Sequence, residues 1–452
     1  MTVTAIVLAA GQGTRMKSDI PKVLHRANGK ALVQWVLDTL RASDVEDTVV
    51  VLGHGSEQVE DAIRGQATFA YQREQKGTGH AVMQAVDAIG ANADCVLVVC
   101  GDTPLLTEGT IRKLIAQHRE EKNAVTVLTA IAPNPFGYGR MIRDEKGIVK
   151  IVEQKDATPE EQAVAEINAG TYCFDREFLI ANLPKLTTNN AQGEYYLTDL
   201  IGIARSAGLG VGGYPMEDFS ESLGVNNRVQ LAQAAEILRA RKCNELMTAG
   251  VTIIAPAQTY VESTVSVGRD TILYPGVLLE GNTTIGEGNI IGANCRIANS
   301  TIGDDNEIQQ TVMNEATVGN GCNIGPFAYL RPGATLADRV KIGDFVEVKK
   351  STIGEGSKLP HLSYVGDAIV GSGVNIGCGS ITCNYDGVNK YQTIIGDGAF
   401  IGSNTNLIAP VQVEANAFIG AGSTITKDVP ADSLALTRAP LVVKESWNKK
   451  NK

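Results

Sequence analysis

The chain has 452 residues, 48 of them glycine, and a formal net charge of −10. That length suggests two or three domains, and the acidic balance argues against a general nucleic-acid surface, which needs a basic face. No apolar run reaches the roughly 18 residues of a membrane span, so no membrane partner is expected; the eight cysteines lack a C-x-x-C pair and read as reduced core residues of a cytoplasmic protein.

The apolar run Val3-Thr4-Ala5-Ile6-Val7 has no charged leader before it and reads as a first strand, not a signal peptide. It feeds into LAAGQGTRMKSDIPK, Leu8 to Lys22. Met16 stands where a Walker A loop needs the glycine before Lys-Ser. It also stands where a dinucleotide-binding loop needs its third glycine, so neither pattern is met. What remains is phosphate-loop chemistry: backbone N–H groups near an expected helix start, with Arg15 and Lys22 adding positive charge. Strands follow at Thr48 to Gly53 and Cys95 to Cys100, with helices at Ala31 to Ala42, Gly79 to Ile89 and Thr107 to Glu121. The alternation predicts a Rossmann-like α/β domain over residues 1–226, its mostly parallel sheet covered on both faces. Ligands of such sheets sit beyond the carboxyl ends of the strands. Asp102, in CGDTP, lies at such an end and is placed to hold Mg²⁺ against substrate phosphates; the alternative is an Asp that only opens the turn into Thr103-Pro104.

Residues 227–250 carry Leu231, Ala235, Leu238 and Leu246 at helical spacing, with Gly250 as C-cap, and predict one long connecting helix. The period then becomes six. Apolar residues recur from Val261 to Ile297, from Val312 to Val348, from Ile353 to Val365 and from Ile395 to Ile425. These hexapeptide repeats predict a parallel β-helix over 251–436, followed by a tail, 437–452. Three hexads close a triangular coil, and one apolar side chain per hexad points into its axis. The register slip between Ile297 and Val312 predicts a bulge or corner. CNYDGVNKYQT, Cys383 to Thr393, is too polar for a hexad and predicts a loop thrown out from the coil.

The motif L-A-A-G-x-G-T-R-M followed by P-K resembles the signature of sugar-nucleotide pyrophosphorylases. Further matches follow in chain order: QREQKGTGHA (Gln72 to Ala81), GDTPL (Gly101 to Leu105), GYGR (Gly137 to Arg140), IVEQKDA (Ile151 to Ala157), INAG (Ile167 to Gly170), NNAQGEYYLTD (Asn189 to Asp199) and GVNNR (Gly224 to Arg228). With the hexapeptide coil behind them, they make almost the entire chain resemble a bacterial bifunctional family. Its members are N-acetylglucosamine-1-phosphate uridylyltransferases and glucosamine-1-phosphate N-acetyltransferases. The resemblance implies an α/β nucleotidyltransferase domain joined by the long helix to a left-handed parallel β-helix. It implies Mg²⁺ as cofactor, the small-molecule substrates UTP, acetyl-CoA and glucosamine 1-phosphate, and a homotrimer with coenzyme sites between neighbouring β-helices. It also implies a product that feeds peptidoglycan and lipopolysaccharide synthesis.

Site residues follow from the matched positions. Leu8, Ala9, Ala10, Gly11, Gly13, Arg15 and Lys22 would hold the triphosphate. Gln72, Gln75, Gly77 and Thr78 would read uracil, whose edge offers one donor between two acceptors. Gly139, Glu153, Asn168 and Thr171 would hold the acetylated sugar, and Asp102 and Asn226 the Mg²⁺. Acyl transfer to an amine needs a base, and His361, in KLPHLSYVGD, is the one histidine of five that lies in the repeats. Arg331 and Lys349 would bind the sugar phosphate. Tyr364, Asn375, Asn384 and Lys390 would orient the sugar and catalytic groups. Asn384, Tyr385, Ser403, Ala421 and Arg438 would line the acetyl-CoA groove, and a backbone N–H near Cys378 would hold the oxyanion. Two positions depart from the family: Cys378 stands where alanine is common, and Pro360 where a smaller residue is usual. The plainer readings are a solvated glutamine pair at Gln72 and Gln75, a solvated solenoid face at Arg331 and Lys349, and a structural His361. Two rival functions stay open, a nucleotidyltransferase with an idle β-helix and a β-helix that serves only assembly.

Overall fold

The structure is a computed structural model in which residues 2–447 are described; the end of the expected tail, 448–452, lies outside the described residues. The chain forms two compact units, which divide between Leu238 and Arg239. No helix among the described residues is long and apolar enough to cross a membrane.

The first unit is built on nine strands: β1 (Thr2–Ala9), β2 (Asp47–Leu52), β3 (Thr68–Tyr71), β4 (Ala93–Cys100), β5 (Val125–Ile131), β6 (Arg140–Asp144), β7 (Gly147–Val152), β8 (Glu166–Asp175) and β9 (Val211–Pro215). Their order is β9-β5-β8-β4-β1-β2-β3, with the β6–β7 hairpin attached to β8. The pairs β1–β2, β1–β4, β2–β3 and β9–β5 are parallel, and β8 runs antiparallel between β4 and β5. Strands β1 and β4 are near-continuous apolar runs because both of their faces are covered. Ile6, Val96 and Val98 join one core, packed under Ala81, Val82 and Ala85 of the helix Thr78–Ala85. Val7, Leu97 and Val99 join the other, under the helices Leu32–Ala42 and Glu108–Glu121. Two expectations need correction. The helix expected to reach Ile89 ends at Ala85, with one 3₁₀ turn, Val86–Ala88, beyond it. No α-helix starts in the loop after β1, which forms only the 3₁₀ turns Thr14–Met16 and Lys22–Leu24.

The helix Arg228–Thr248 spans the division between the units, and Gly250 follows at φ 98°. Beyond it the chain winds into three parallel sheets of 11, 10 and 9 strands, each strand hydrogen-bonded to the strands one coil away. The inward residues form a single core that runs from Val251 to Val429.

The register slip falls at corners, not at a bulge. Ile302 and Ile308 carry the inward line past Ile297 while both sheets keep their pairing. Met313, 1% exposed, then takes the inward place, and Val312 beside it is 41% exposed. Several corners here are one residue shorter than elsewhere, with Asn299, Gln310 and Glu315 at φ 49°, 40° and 48°. A shortened corner advances the alternation by one residue and turns Val312 outward. Val370 and Ile376 extend the third run, and Thr382 occupies the next inward place at 3% exposure. Its hydroxyl accepts the Gly366 N–H at 2.8 Å and donates to the Gly366 carbonyl at 3.0 Å. The polar loop then leaves the coil between the strands Ile381–Cys383 and Thr393–Ile395, pinched by a bridge between Tyr385 and Lys390.

Candidate active sites

The carboxyl ends of β1 and β4 lie side by side, and the loops leaving them are tied together where the Gly101 N–H donates to the Leu8 carbonyl at 2.9 Å. Gly13, at φ 62°, folds the first loop back on itself. A Cβ there would lie 2.7 Å from the Lys22 Cβ, so only glycine fits. Lys22 is thereby aimed at the sheet end, where its ammonium pairs with Asp102. The same Nζ donates to Asn226 Oδ1 at 3.2 Å, and Arg15 donates to that oxygen at 3.0 Å. The Asp102 carbonyl accepts the Val225 N–H at 2.9 Å, which brings Asn226 to the site. A cavity of about 460 Å³ opens here, lined by Arg15, Asp102, Asn168, Gly170, Gly224 and Asn226 among others; that is ample for a small ligand.

Two oxygens, one from Asp102 and one from Asn226, already converge on a cation, the Lys22 ammonium. Among the described residues no group of three His, Cys, Asp or Glu side chains could hold a metal by itself. A divalent ion that takes most of its ligands from phosphate and water fits such a sparse pair.

The remaining residues assigned to this unit sort into lining and support. Gln72 is only 3% exposed, and its amide donates to the Gly77 carbonyl at 3.0 Å, so it is not half of a solvated pair. Gln75 is exposed but donates to the Ala10 carbonyl at 3.2 Å, which couples it to the phosphate loop. Gly77 sits at φ 102°, where a Cβ would meet the Tyr195 carbonyl at 2.6 Å, and the Thr78 hydroxyl accepts the Leu197 N–H at 3.1 Å. Around the cavity's far wall, the Gly139 carbonyl accepts the Asn168 N–H at 2.9 Å. The Asn168 amide donates to the Tyr172 hydroxyl at 2.6 Å. Burial, reinforced by Asp156 and Asp199, raises the pKa of the nearby Glu153 carboxyl. Cys100 also lines this cavity, with a thiol pushed up to about 12 by burial, which makes it a poor nucleophile. Thr171, 2% exposed, is not among the residues that line the cavity.

In the second unit the assigned residues lie on two of the three sheets and on the turns and loop that leave them. The strand Lys358–His361 lies between the strands Lys341–Asp344 and Asn375–Ile376. His361 is paired with Asp344 one coil below, and its Nδ1 lies 2.9 Å from Asp344 Oδ1. Pro360 has no N–H to give the next strand. The pairing accordingly drops from three residue pairs below this strand to one above it, which frees the chain at His361. Above follow Cys378, whose carbonyl accepts the Asn404 N–H at 2.7 Å, and Ser403, whose carbonyl accepts the Gly422 N–H at 2.8 Å. Arg438 donates to the Ala421 carbonyl at 3.5 Å.

The adjoining ten-stranded sheet supplies the cations. Arg331 donates to the Val348 carbonyl through its backbone N–H, and its guanidinium pairs with Glu347 at 2.6 Å. Glu347 is the register partner of Tyr364, three residues beyond His361, and Lys349 is the partner of Gly366. Lys390, from the expelled loop, lies beside Lys349. It depresses the pKa of that ammonium, with further effect from burial and Arg331. Like-charged groups held this close form a ready seat for a phosphate. Asn384 donates to Asp367, and Tyr385 stands exposed on the loop.

Three acidic partners escaped sequence reasoning: Asp344, Glu347 and Asp367. Each lies one coil from an assigned residue, at separations of 17, 16 and 17 from His361, Arg331 and Asn384. A coil-length offset from a catalytic candidate was the available signal.

Comparison with known proteins accords with both halves. A model of the MobA-like NTP transferase domain matches residues 5–147. Bacterial transferase hexapeptide repeats match 264–299, 315–350 and 392–427. The chain is 54% identical to the bifunctional protein GlmU of Heliobacterium modesticaldum over 98% of its own length and 97% of that protein's. It is 53% identical to the GlmU of Carboxydothermus hydrogenoformans, covering 98% and 99%, and 52% identical to that of Clostridioides difficile, covering 100% and 98%. Identity at this level across nearly the full length of every chain compared means that this protein belongs to the family of the bifunctional protein GlmU.

Proposed function

We propose that the chain makes UDP-N-acetylglucosamine in two steps, each run by one unit. The β-helix transfers acetyl from acetyl-CoA to glucosamine 1-phosphate. The α/β unit then transfers UMP from UTP to N-acetylglucosamine 1-phosphate and releases pyrophosphate. The observation that supports this most directly is the presence of two separate anion-binding clusters. Arg15 and Lys22 stand by Asn226 and Asp102 in the first unit, and Arg331, Lys349 and Lys390 lie close together in the second, on and beside the sheet that adjoins the His361 strand.

In uridylyl transfer the sugar phosphate oxygen attacks the α-phosphorus in line, and the bond to pyrophosphate breaks. Positioning and charge neutralisation carry such a reaction. The loop Leu8 to Gly13, Arg15 and Lys22 hold the triphosphate. Gln72, Gln75, Gly77 and Thr78 shape the uracil pocket, and Gly139, Glu153, Asn168 and Thr171 the sugar pocket. The family uses a divalent metal. We assign Mg²⁺, held by Asp102 and Asn226, where it supplies charge neutralisation. Lys22 then turns from Asp102 to the phosphates.

In acetyl transfer the amine nitrogen attacks the thioester carbonyl carbon, and its proton passes to His361 Nε2. The Cys378 backbone N–H steadies the oxyanion. The C–S bond then breaks, and the coenzyme thiolate takes the proton. Arg331, Lys349 and Lys390 grip the sugar phosphate, and Tyr364, Asn375 and Asn384 orient the amine. Tyr385, Ser403, Ala421 and Arg438 line the coenzyme groove. Exposed ring stacks, Phe327 on Phe345 and Phe400 on Phe418, support packing of the β-helix against its own copies in a homotrimer. The eight free cysteines among the described residues support a reducing, cytoplasmic setting.

The test is a pair of variants assayed for both reactions. His361→Ala should lower acetyl transfer about 10²- to 10⁴-fold and leave uridylyl transfer intact; Asp102→Ala should do the reverse. Equal loss of both activities in either variant would refute the division.

A further inference from the structure

The proton acceptor assigned to His361 imposes a condition that the imidazole cannot meet alone. A neutral imidazole carries one proton, on either ring nitrogen, and only the bare nitrogen can act as base. In water the ring favours the proton on Nε2, the nitrogen assigned as base here. Something must reverse that preference.

We propose that Asp344 is a positioning residue that holds the His361 proton on Nδ1 and so leaves the Nε2 lone pair open toward the substrate amine. The inference rests on the acetyl-transfer reading above and adds to it a residue that the matched motifs do not assign. Asp344 Oδ1 lies 2.9 Å from His361 Nδ1. An ionised carboxylate has no hydrogen to give, so at that distance the hydrogen belongs to Nδ1. The carboxylate stays ionised in the working range, because the His361 hydrogen bond and its own backbone N–H hold its pKa below the usual carboxylate range.

The fold makes the contact dependable. Asp344 and His361 are register partners at the ends of stacked parallel strands, so ladder hydrogen bonds fix their separation. Pro360 releases His361 from the strand above but not from the strand below, so the ring keeps Asp344 while its other face opens. The remaining charged side chains on the two strands, Lys341 and Lys358, are paired with each other and offer no acceptor. Asp344 is the one carboxylate on these two strands.

Both groups are largely exposed, His361 at 58% and Asp344 at 42%. Water therefore competes for the ring, and the effect falls short of that in a buried triad. In Asp344→Asn the amide can donate to Nδ1 and drive the proton to Nε2. We expect kcat for acetyl transfer to fall about ten- to a hundredfold, with the KM for glucosamine 1-phosphate and uridylyl transfer unchanged. In Asp344→Glu a carboxylate is retained, and part of the loss should be recovered. The reading is independently visible in the unmutated protein: ¹⁵N spectra of labelled histidine should show His361 protonated on Nδ1 and bare on Nε2 in its neutral form. A neutral ring with the proton on Nε2 would overturn the proposal, as would an Asp344→Asn kcat within twofold of the parent. Full acetyl transfer by His361→Ala would instead overturn the assignment of the base, which keeps the two failures distinct.

Discussion

Replacing Thr382 by valine should weaken the β-helix even though it puts an apolar residue on an apolar line. Valine has the shape of threonine, so no cavity forms, and the hydroxyl's own burial penalty disappears. Those effects favour the variant. Against them stands Gly366, whose buried N–H has the Thr382 hydroxyl as its partner at 2.8 Å and whose carbonyl receives that hydroxyl at 3.0 Å. A buried N–H left without a partner costs about 1–3 kcal/mol. The net loss should be about 1–2 kcal/mol, which for a unit of this size lowers the melting temperature by about 2–8 °C. Gly366 is also the partner of Lys349 and precedes Asp367, which receives the Asn384 amide. Acetyl transfer should therefore fall further than uridylyl transfer. Thermal unfolding and the two activity assays on one preparation measure both effects. A Thr382→Val protein as stable as the parent, with acetyl transfer undiminished, would refute the reasoning and mean that Gly366 is satisfied elsewhere.

Glu153 supplies a test in pH. Its pKa is raised in the folded chain, so protonation favours folding there. Its contribution to stability is fully present below 4.5 and is lost as pH rises through the folded value. Glu153→Gln should thus melt higher than the parent near pH 7, converge with it below pH 4.5, and bind the acetylated sugar more weakly; a variant less stable at pH 7 would contradict this. Chelation of divalent ions should lower uridylyl transfer by about two orders of magnitude or more while leaving acetyl transfer unaffected, and equal inhibition of both would count against a metal confined to Asp102 and Asn226.

Much of this was legible in the amino-acid order, because the signals concerned are local. A strand buried on both faces must be apolar throughout, as β1 and β4 are. A coil of short strands must return an apolar residue to its axis at a nearly fixed interval, and the repeats from Val261 to Ile425 show that interval directly. The phosphate loop was readable for the same reason: Gly13 and Lys22 lie close in sequence, and the loop's geometry needs both. Where reading failed, a count accumulated along the chain was at fault. Shortened corners at Asn299, Gln310 and Glu315 shifted the inward place to Met313, and no single hexad reveals how many residues its corner uses. Only the folded coil decided that Asp344 meets His361 and that Glu347 meets Arg331, since partnership one coil away depends on the summed length of three corners. Closure of the sheet likewise brought Lys22 to Asp102 and Asn226 across 80 and 204 residues of chain. Periodicity and residue chemistry are written into neighbouring positions. The meeting of distant charges is settled by backbone hydrogen bonding and burial over the whole unit.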